Sequence, residues 1–408
     1  MLEMSAKEKI DALSSEPVQK YILDHEHHDV RDLVLKHKEI LGIPAVSILE
    51  QIATRGKAKV KLPLYYHTSK IIFPPAENFE QSSSESTAFY KSEILRNLLS
   101  GREGTVADLT GGFGVDTYFL SKVMQKVDCV EPQTSLMEIA RHNHSLLGAS
   151  NINYHLSSAE DFVRSTDRSF DIIYADPSRR TDERKKIHAL EDSQPDVLKL
   201  KAEIFKKTRL LLIKASPLLD IQAGMTQLAN VRRVYVVSVT NECKEILFLL
   251  EKDFEGDPVV DAVNLQGDRV DQRFEFSFPE ERKQTIHFSD PLKYLYEPNA
   301  SILKAGAFKS VASRFNLRKI QVNTHLYTGD QFIDDFPGRK FLVEASIRPD
   351  RAEVKKSLPD GKANVTTRNY PLTPEALKKK TGLKDGGEKF LIGFSGQQKK
   401  YLVVASRL

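Results

Sequence analysis

The strongest constraint on the fold is a regular alternation, from about residue 105 to residue 250, of short apolar runs with longer amphipathic segments. Runs at 105–109, 127–131, 151–155 and 170–175 have the length of buried strands, and the segments at 115–125, 134–146 and 158–164 have the spacing of one-faced helices. Strands that each return through a helix must pair in parallel, which predicts a doubly wound α/β sheet. After a polar excursion at 181–196 come a helix (196–207), a strand (210–213) and a helix (218–228), then two strands at 234–240 and 245–250. Only Asn241-Glu242-Cys243-Lys244 separates the last two strands. A connection that short holds no crossover helix, so the seventh strand should run antiparallel.

The first run ends in Asp108-Leu109-Thr110-Gly111-Gly112-Phe113-Gly114-Val115-Asp116. Glycines let a backbone approach a ligand closely, and the amides opening the next helix can face a carboxylate or phosphate. The second run ends in Glu131, 23 residues after Asp108, where an α/β unit places a carboxylate on a ribose. A dinucleotide fingerprint would need a third glycine at position 117, which is threonine. The fourth run leads into Asp176-Pro177-Ser178-Arg179-Arg180, at the sheet edge where open α/β folds bind ligands.

With 408 residues the chain exceeds one ordinary core and should form several domains. No apolar run reaches the ~20 residues of a membrane span and the first nine residues are polar, so a cytoplasmic location with no membrane contact is expected. Cys129 and Cys243 lie in apolar surroundings and read as reduced core thiols. His25, His27, His28 and His37 lack companions that would complete a metal site, so no metal is expected. A net charge of +4 permits nucleic-acid binding without demanding it.

Residues 1–90 read as a helical domain with a linker, broken at Ile43-Pro44 and ending in a serine cluster where Ser84 or a neighbour caps the next helix. A basic strip, Arg55, Lys57, Lys59 and Lys61, lies within it. Residues 91–266 carry the α/β sheet. Residues 267–334 suggest a small α+β module with strands at 274–278 and 285–288, a helix at 300–315 and a strand at 320–326. Residues 335–408 suggest another, with strands at 340–347, 363–370, 388–394 and 399–406 around a helix at 373–381. Thr373, Pro374 and Gly382 supply that helix's N-cap, first turn and C-terminal stop.

The glycine loop and the antiparallel finish resemble class I S-adenosylmethionine (SAM) methyltransferases, which have a seven-stranded Rossmann-like sheet. That resemblance implies SAM as cofactor, with Asp108, Thr110, Gly111, Gly112 and Gly114 along its methionine part. It implies Glu131, followed by Pro132, at the ribose and Ala159 with Glu160 or Asp161 at the adenine. Asp116 either meets the SAM amino group or caps the helix it opens. Thr110 stands where many members have glycine, and the pattern Asp-x-Thr-x-Gly-x-Gly-x-Asp recurs in some rRNA guanine methyltransferases. Asp176-Pro177 resembles the turn of enzymes that methylate an exocyclic or amide nitrogen, where the carboxylate and the proline carbonyl orient the amine. Ser178 and Arg179 replace that turn's second proline and aromatic, and a guanidinium is able to stack on a base or hold a phosphate. Carbon methylation of a pyrimidine would need a cysteine after the fifth strand, where Lys214-Ala215-Ser216-Pro217 offers none. Lys214 and Ser216 are either substrate contacts or ordinary loop polar groups.

The excursion after the turn, with Arg180, Arg184, Lys185, Lys186 and His188, is either a lid that grips a polyanion or a solvated face. Residues 80–91, 297–306 and 368–382 are similar to bacterial methyltransferases with a C-terminal THUMP-like domain. This resemblance implies ferredoxin-like and THUMP-like modules and an RNA partner, either rRNA or tRNA, methylated at a base nitrogen. Lys378, Lys379, Lys380, Lys399 and Lys400, like the Arg55–Lys61 strip, either bind phosphates or only solubilise a helix or hairpin. The alternatives are a methyltransferase of proteins or small molecules and a non-catalytic RNA-binding protein.

Overall fold

The computed structural model describes residues 4–28, 38–179 and 193–408. The first of its two units holds residues 1–232, 245–255 and 266–269. It opens with helices α1 (Ala6–Leu13), α2 (Glu16–Asp24), α3 (Ala45–Lys61), α4 (Pro63–His67), α5 (Ala76–Gln81) and α6 (Glu85–Leu98). Two-residue strands at Glu39–Ile40 and Ile43–Pro44 form the break before α3. Ser84 caps α6 by accepting the Thr87 amide at 3.3 Å, as its sequence position predicts.

The sheet follows as β1 (Thr105–Asp108), α7 (Val115–Ser121), β2 (Lys126–Val130), α8 (Thr134–Leu146), β3 (Ile152–His155), α9 (Ala159–Ser165) and β4 (Ile172–Ala175). Then come α10 (Val197–Lys207), β5 (Leu210–Ala215), α11 (Ile221–Leu228), β6 (Val231–Val239) and β7 (Glu242–Glu251). Strand β1 pairs in parallel with β2 and β4, β2 with β3, and β4 with β5. Strand β7 runs antiparallel to β5 with Ile246 opposite Ala215, which is the expected reversal. Helix α7 stops at Ser121, short of 125, because the Asn151 side chain takes the Ser121 and Met124 carbonyls at 2.9 and 2.8 Å.

The N-terminal helices share one apolar core with the α7 and α8 face of the sheet. Leu13, Ile22, Ile48, Tyr65, Phe73 and Phe79 pack in a single cluster with Phe113, Val115, Tyr118 and Ile139. Within it Asn143 brackets the Ile72 backbone at 3.0 and 2.8 Å, and Gln51 brackets Phe73 at 2.8 Å on both sides. These amides satisfy an extended backbone segment that would otherwise lie unpaired in a dry interior.

The second unit holds residues 233–244, 256–265 and 270–408. Thr240 and Asn241, with φ of 51° and 66°, form the turn from β6 to β7. The connection is therefore two residues rather than the expected four, and its positive φ values match the twist of a tight hairpin. Strand β8 (Val259–Gln266) lies parallel to β6 with Val236 opposite Ala262. Its polar Asp261 and Asn264 interrupt the apolar pattern and hide it in the sequence. Strand β9 (Arg269–Ser277) and helix α12 (Phe278–Lys283) follow, and 285–288 forms no strand beyond an isolated bridge from Phe288 to Lys319.

A seven-stranded sheet closes the chain in the order β11 (Arg318–Gln321), β12 (Thr324–Gly329), β10 (Tyr294–Pro298), β13 (Gly338–Ser346), β16 (Lys400–Arg407), β15 (Lys389–Ser395), β14 (Asn364–Arg368). The expected helix at 300–315 is two helices, α13 (Ala300–Ala305) and α14 (Phe308–Arg314), because Gly306 at φ 79° ends the first in a left-handed cap. The expected strand at 320–326 is the hairpin of β11 and β12. Helix α15 (Arg351–Ser357) was not apparent in the sequence, whereas α16 (Pro374–Thr381) has the foreseen caps, Thr373 accepting the Ala376 amide at 3.2 Å and Gly382 at φ 77°. Among the described residues no helix is long and apolar enough to cross a membrane.

Candidate active site

The glycine turn is built around a buried carboxylate. Asp108 ends β1 fully enclosed and accepts the Thr110 amide at 3.0 Å and the Thr117 hydroxyl at 2.6 Å. Burial pushes its carboxyl up to about 7, and the nearby Asp116 and Asp176 carboxylates add to the rise against these hydrogen bonds. Two glycines are required by contact. A Cβ on Gly111 would stand 2.5 Å from Cys129 Sγ, and one on Gly114, at φ 87°, would stand 2.6 Å from His144 Nε2. His144 Nε2 lies 2.8 Å from the Gly114 carbonyl, and burial lowers this imidazole to about 4.

Glu131, just after β2, accepts the Gly112 amide at 2.8 Å on one oxygen and the Gln133 amide at 2.9 Å on the other. Burial raises its carboxyl, and each oxygen retains a lone pair for a further donor. Pro132 beside it is exposed. Ala159 and Glu160 open α9 after β3, the neighbour of β2, where Ser158 accepts the Asp161 amide at 3.1 Å.

Thr110 joins the glycine turn to the turn after β4. Its hydroxyl accepts the Asp176 amide at 2.7 Å and lies 3.3 Å from Asp108 Oδ1, a role glycine could not fill. The Asp176 carboxylate forms an ion pair with Lys214. Lys214 lies within β5, which runs two residues past the expected strand end, so it is not a loop residue. Ser216 shapes its own turn by accepting the Leu218 amide at 3.2 Å. Pro177 is half-buried and Ser178 exposed, and Ser178–Arg179 pairs with Ser193–Gln194 as a short antiparallel ladder. Arg180, Arg184, Lys185, Lys186 and His188 of the basic excursion, and His37, lie outside the described residues.

Asp116 does not cap α7, whose cap position is Gly114. Its Oδ2 accepts the Ser83 and Tyr174 hydroxyls, each at 2.8 Å, and Lys91 Nζ stands 3.1 Å from its Oδ1. Lys91, its side chain 1% exposed, also reaches both Glu245 oxygens at 3.0 and 3.2 Å and the Ser83 hydroxyl at 2.8 Å. Burial raises the Glu245 carboxyl against the pull of Lys91 and Lys214. Burial alone would lower Lys214, yet the carboxylates of Asp176, Glu245 and Asp116 outweigh it and hold the ammonium charged well above the usual lysine range. Asp176, Lys214, Asp116, Lys91 and Glu245 thus form a connected cluster of three acids and two bases. Ser83, Lys91, Tyr174 and Glu245 were not singled out in the sequence. The available signal was a lysine and a glutamate embedded in otherwise apolar helix and strand faces.

Cys129 is the expected core thiol, and burial drives it far above its ordinary range, whereas Cys243 is only half-buried near the start of β7 rather than in the core. Among the described residues no group of three or more His, Cys, Asp or Glu side chains is arranged to hold a metal ion.

An open α/β sheet with a glycine turn after its first strand, an acid at the end of the second and an antiparallel last strand beside β5 has the class I methyltransferase fold. A ferredoxin-like domain family matches residues 294–337 and a THUMP domain-like family matches residues 338–407. The crystal structure of a presumed methyltransferase from Porphyromonas gingivalis W83 is similar over 100% of both chains, at 30% identity and a TM-score of 0.85. The chain belongs to that methyltransferase family, with a C-terminal THUMP-like domain. Two other structures are similar to a part of this chain. An rRNA methylase from Streptococcus thermophilus matches 41% of this chain and 95% of its own at 19% identity and a TM-score of 0.31. A presumed methyltransferase from Streptococcus mutans, in complex with SAH, matches 39% and 97% at 16% identity and a TM-score of 0.29. None of the curated proteins matches the chain.

Proposed function

We propose that the protein transfers a methyl group from SAM to RNA, at a site between the glycine turn and the Asp176-Pro177 turn. One observation carries this reading: Thr110 bonds to both Asp108 and the Asp176 amide, so the glycine turn and the Asp176-Pro177 turn lie side by side. The donor set suits SAM. Asp116 and Glu131 flank the loop with carboxylates, which complement a sulfonium and an ammonium, and Glu131 has lone pairs free for ribose hydroxyls. Gly112, at φ 52°, has only the Thr110 carbonyl within 4 Å of where a Cβ would stand, at 3.8 Å, leaving room above the loop. When bound, SAM supplies an electrophilic methyl on a thioether leaving group.

Asp108, Thr110, Gly111, Gly112, Gly114 and Asp116 would shape the methionine end, Glu131 and Pro132 the ribose end, and Ala159 and Glu160 the adenine end. Asp176, Pro177, Ser178 and Arg179 would form the acceptor turn. In this reading residues 91–266 carry the catalytic domain, while 267–334 and 335–408 help hold the nucleic acid. Exposed Lys355, Lys356, Lys379, Lys380, Lys399 and Lys400 support RNA as partner, since such side chains bind phosphates by releasing counterions.

The test is transfer of labelled methyl from SAM to unmodified cellular RNA at increasing salt. Transfer that falls steeply with ionic strength is expected, and labelling of protein or small molecules alone would overturn RNA as substrate. Calorimetry should show SAM binding that is lost in Gly112→Arg, and no binding by the wild type would overturn the whole reading.

A further inference from the structure

We propose that the atom receiving the methyl group is a hydroxyl oxygen, the ribose 2′-hydroxyl of RNA, rather than a base nitrogen. This rests on the reading of the site as a SAM-dependent RNA methyltransferase and names its acceptor.

An amine and a hydroxyl ask opposite things of a site. An amine nitrogen attacks through its lone pair and gains positive charge in the transition state. It is served by free carboxylate and carbonyl acceptors and opposed by a cation beside it. A hydroxyl oxygen is a poor nucleophile until its proton leaves, and it needs a proton acceptor with a cation that steadies the developing negative charge. The turn after β4 offers the second set. Asp176 does not stand alone, because its carboxylate is paired with the Lys214 ammonium.

The register of the sheet enforces this pairing. Ala175, the last residue of β4, lies opposite Ile213 of β5, so the residues that follow them are Asp176, just past β4, and Lys214. They are also the open part of the cluster, with side chains 27% and 15% exposed, whereas Lys91 and Glu245 behind them are 1% and 3% exposed. Lys91 offsets Glu245 and Asp116 in the interior. The groups that set the charge at the edge are Asp176 and Tyr174 from the end of β4, Lys214 from β5, Asp108 from β1, Asp116 from α7, Lys91 from α6 and Glu245 from β7. Three carboxylates hold Lys214 charged before any substrate arrives. Such a fixed cation lowers a barrier because it requires no reorganisation as charge develops.

In the reaction the acceptor oxygen bonds to the methyl carbon while the carbon–sulfur bond breaks and its electron pair stays on sulfur. Asp176 takes the hydroxyl proton as that bond forms and later releases it to water. Lys214 keeps its protons throughout and offsets the negative charge on the oxygen. Charge and atoms balance: a neutral alcohol, a sulfonium and a carboxylate become a methyl ether, a thioether and a carboxylic acid.

The experiment uses the full chain with labelled SAM and unmodified total RNA, followed by complete alkaline hydrolysis. A 2′-O-methyl group removes the nucleophile that cleaves the adjoining phosphodiester, so the label should appear in alkali-resistant dinucleotides. Label in mononucleotides would overturn the oxygen acceptor and leave the RNA methyltransferase reading standing. No SAM binding, or label confined to non-RNA fractions, would overturn both. Lys214→Met should cut kcat by about 100-fold or more, with the KM for RNA and the calorimetric affinity for SAM little changed, and Lys214→Arg should recover part of the loss. An undiminished kcat in Lys214→Met would also overturn the proposal, and the wild-type product analysis decides it if that variant does not fold.

Discussion

Two buried carboxylates, Glu245 in the first unit and Asp261 in the second, sit in ionic clusters of opposite construction. Asp261 takes Arg273 in three bonds at 2.9, 3.1 and 2.7 Å and Arg233 at 3.4 Å. Those arginines belong to β9 and β6, on either side of Asp261's own strand β8. They remain 52% and 27% exposed, so the cluster is a cross-strand lattice open to water. Glu245 meets Lys91 from 154 residues away, and the cluster continues through Asp116 and Lys214 to Asp176. Helix α6, helix α7, the end of β4, β5 and β7 all contribute, and no single element needs these charges to pack. Enclosing two lysines and three acids costs desolvation that apolar side chains would avoid. A cluster assembled against that cost from five elements points to chemistry, whereas a lattice of neighbours points to sheet stability.

The largest effect that tests this contrast is on turnover. Asp176→Ala should lower methyl transfer by roughly 10²- to 10⁴-fold, while Asp261→Asn leaves transfer per folded molecule unchanged. Unaltered turnover in Asp176→Ala would place the acceptor elsewhere. The next effect is on stability. Lys91→Met strands the buried Glu245 carboxylate and unpairs the partly buried Asp116, and should cost about 3–5 kcal/mol in urea denaturation. Arg273→Ala should cost less, about 1–3 kcal/mol, because Arg233 still reaches Asp261. A reversed order would remove the distinction between the two clusters.

Asp108 supplies a pH test. Its folded carboxyl is raised from 3.8 to about 7, so the folded state holds a proton that the unfolded chain gives up. Its contribution is greatest below pH ~4 and is lost as pH rises toward 7. Asp108→Asn should therefore gain stability relative to wild type across that window, by an amount on the order of a few kcal/mol. A flat difference between pH 4 and 8 would show that Asp108 is ionised when folded. The smallest effect belongs to a local cap far from either cluster: Thr373→Ala should lower stability by ~1 kcal/mol without altering transfer.

Much of the fold was legible because its signals are local. The parallel strands, the antiparallel β7, the caps at Ser84, Thr373 and Gly382 and the position of the glycine turn all follow from periodicity and turn chemistry. The misses have local causes as well. Asp261 and Asn264 broke the pattern of β8, and Gly306 divided a helix that its apolar spacing had joined. The N-terminal helices could be read as helices, yet nothing in their sequence told that Tyr65, Phe73 and Phe79 would close around Phe113 of the glycine turn.

The sequence by itself determined most of the strands and helices, the turn that calls for glycine, and Asp176-Pro177 at the C-terminal end of β4, because each depends on residues within a few positions of one another. Only the tertiary structure decided that Lys214 stands beside Asp176 and that Lys91 joins Asp116 to Glu245. Charge partnership depends on distance in space, and parallel pairing brings residues 38 positions apart into contact on neighbouring strands. The proposed hydroxyl acceptor therefore rests on sheet register rather than on the glycine motif.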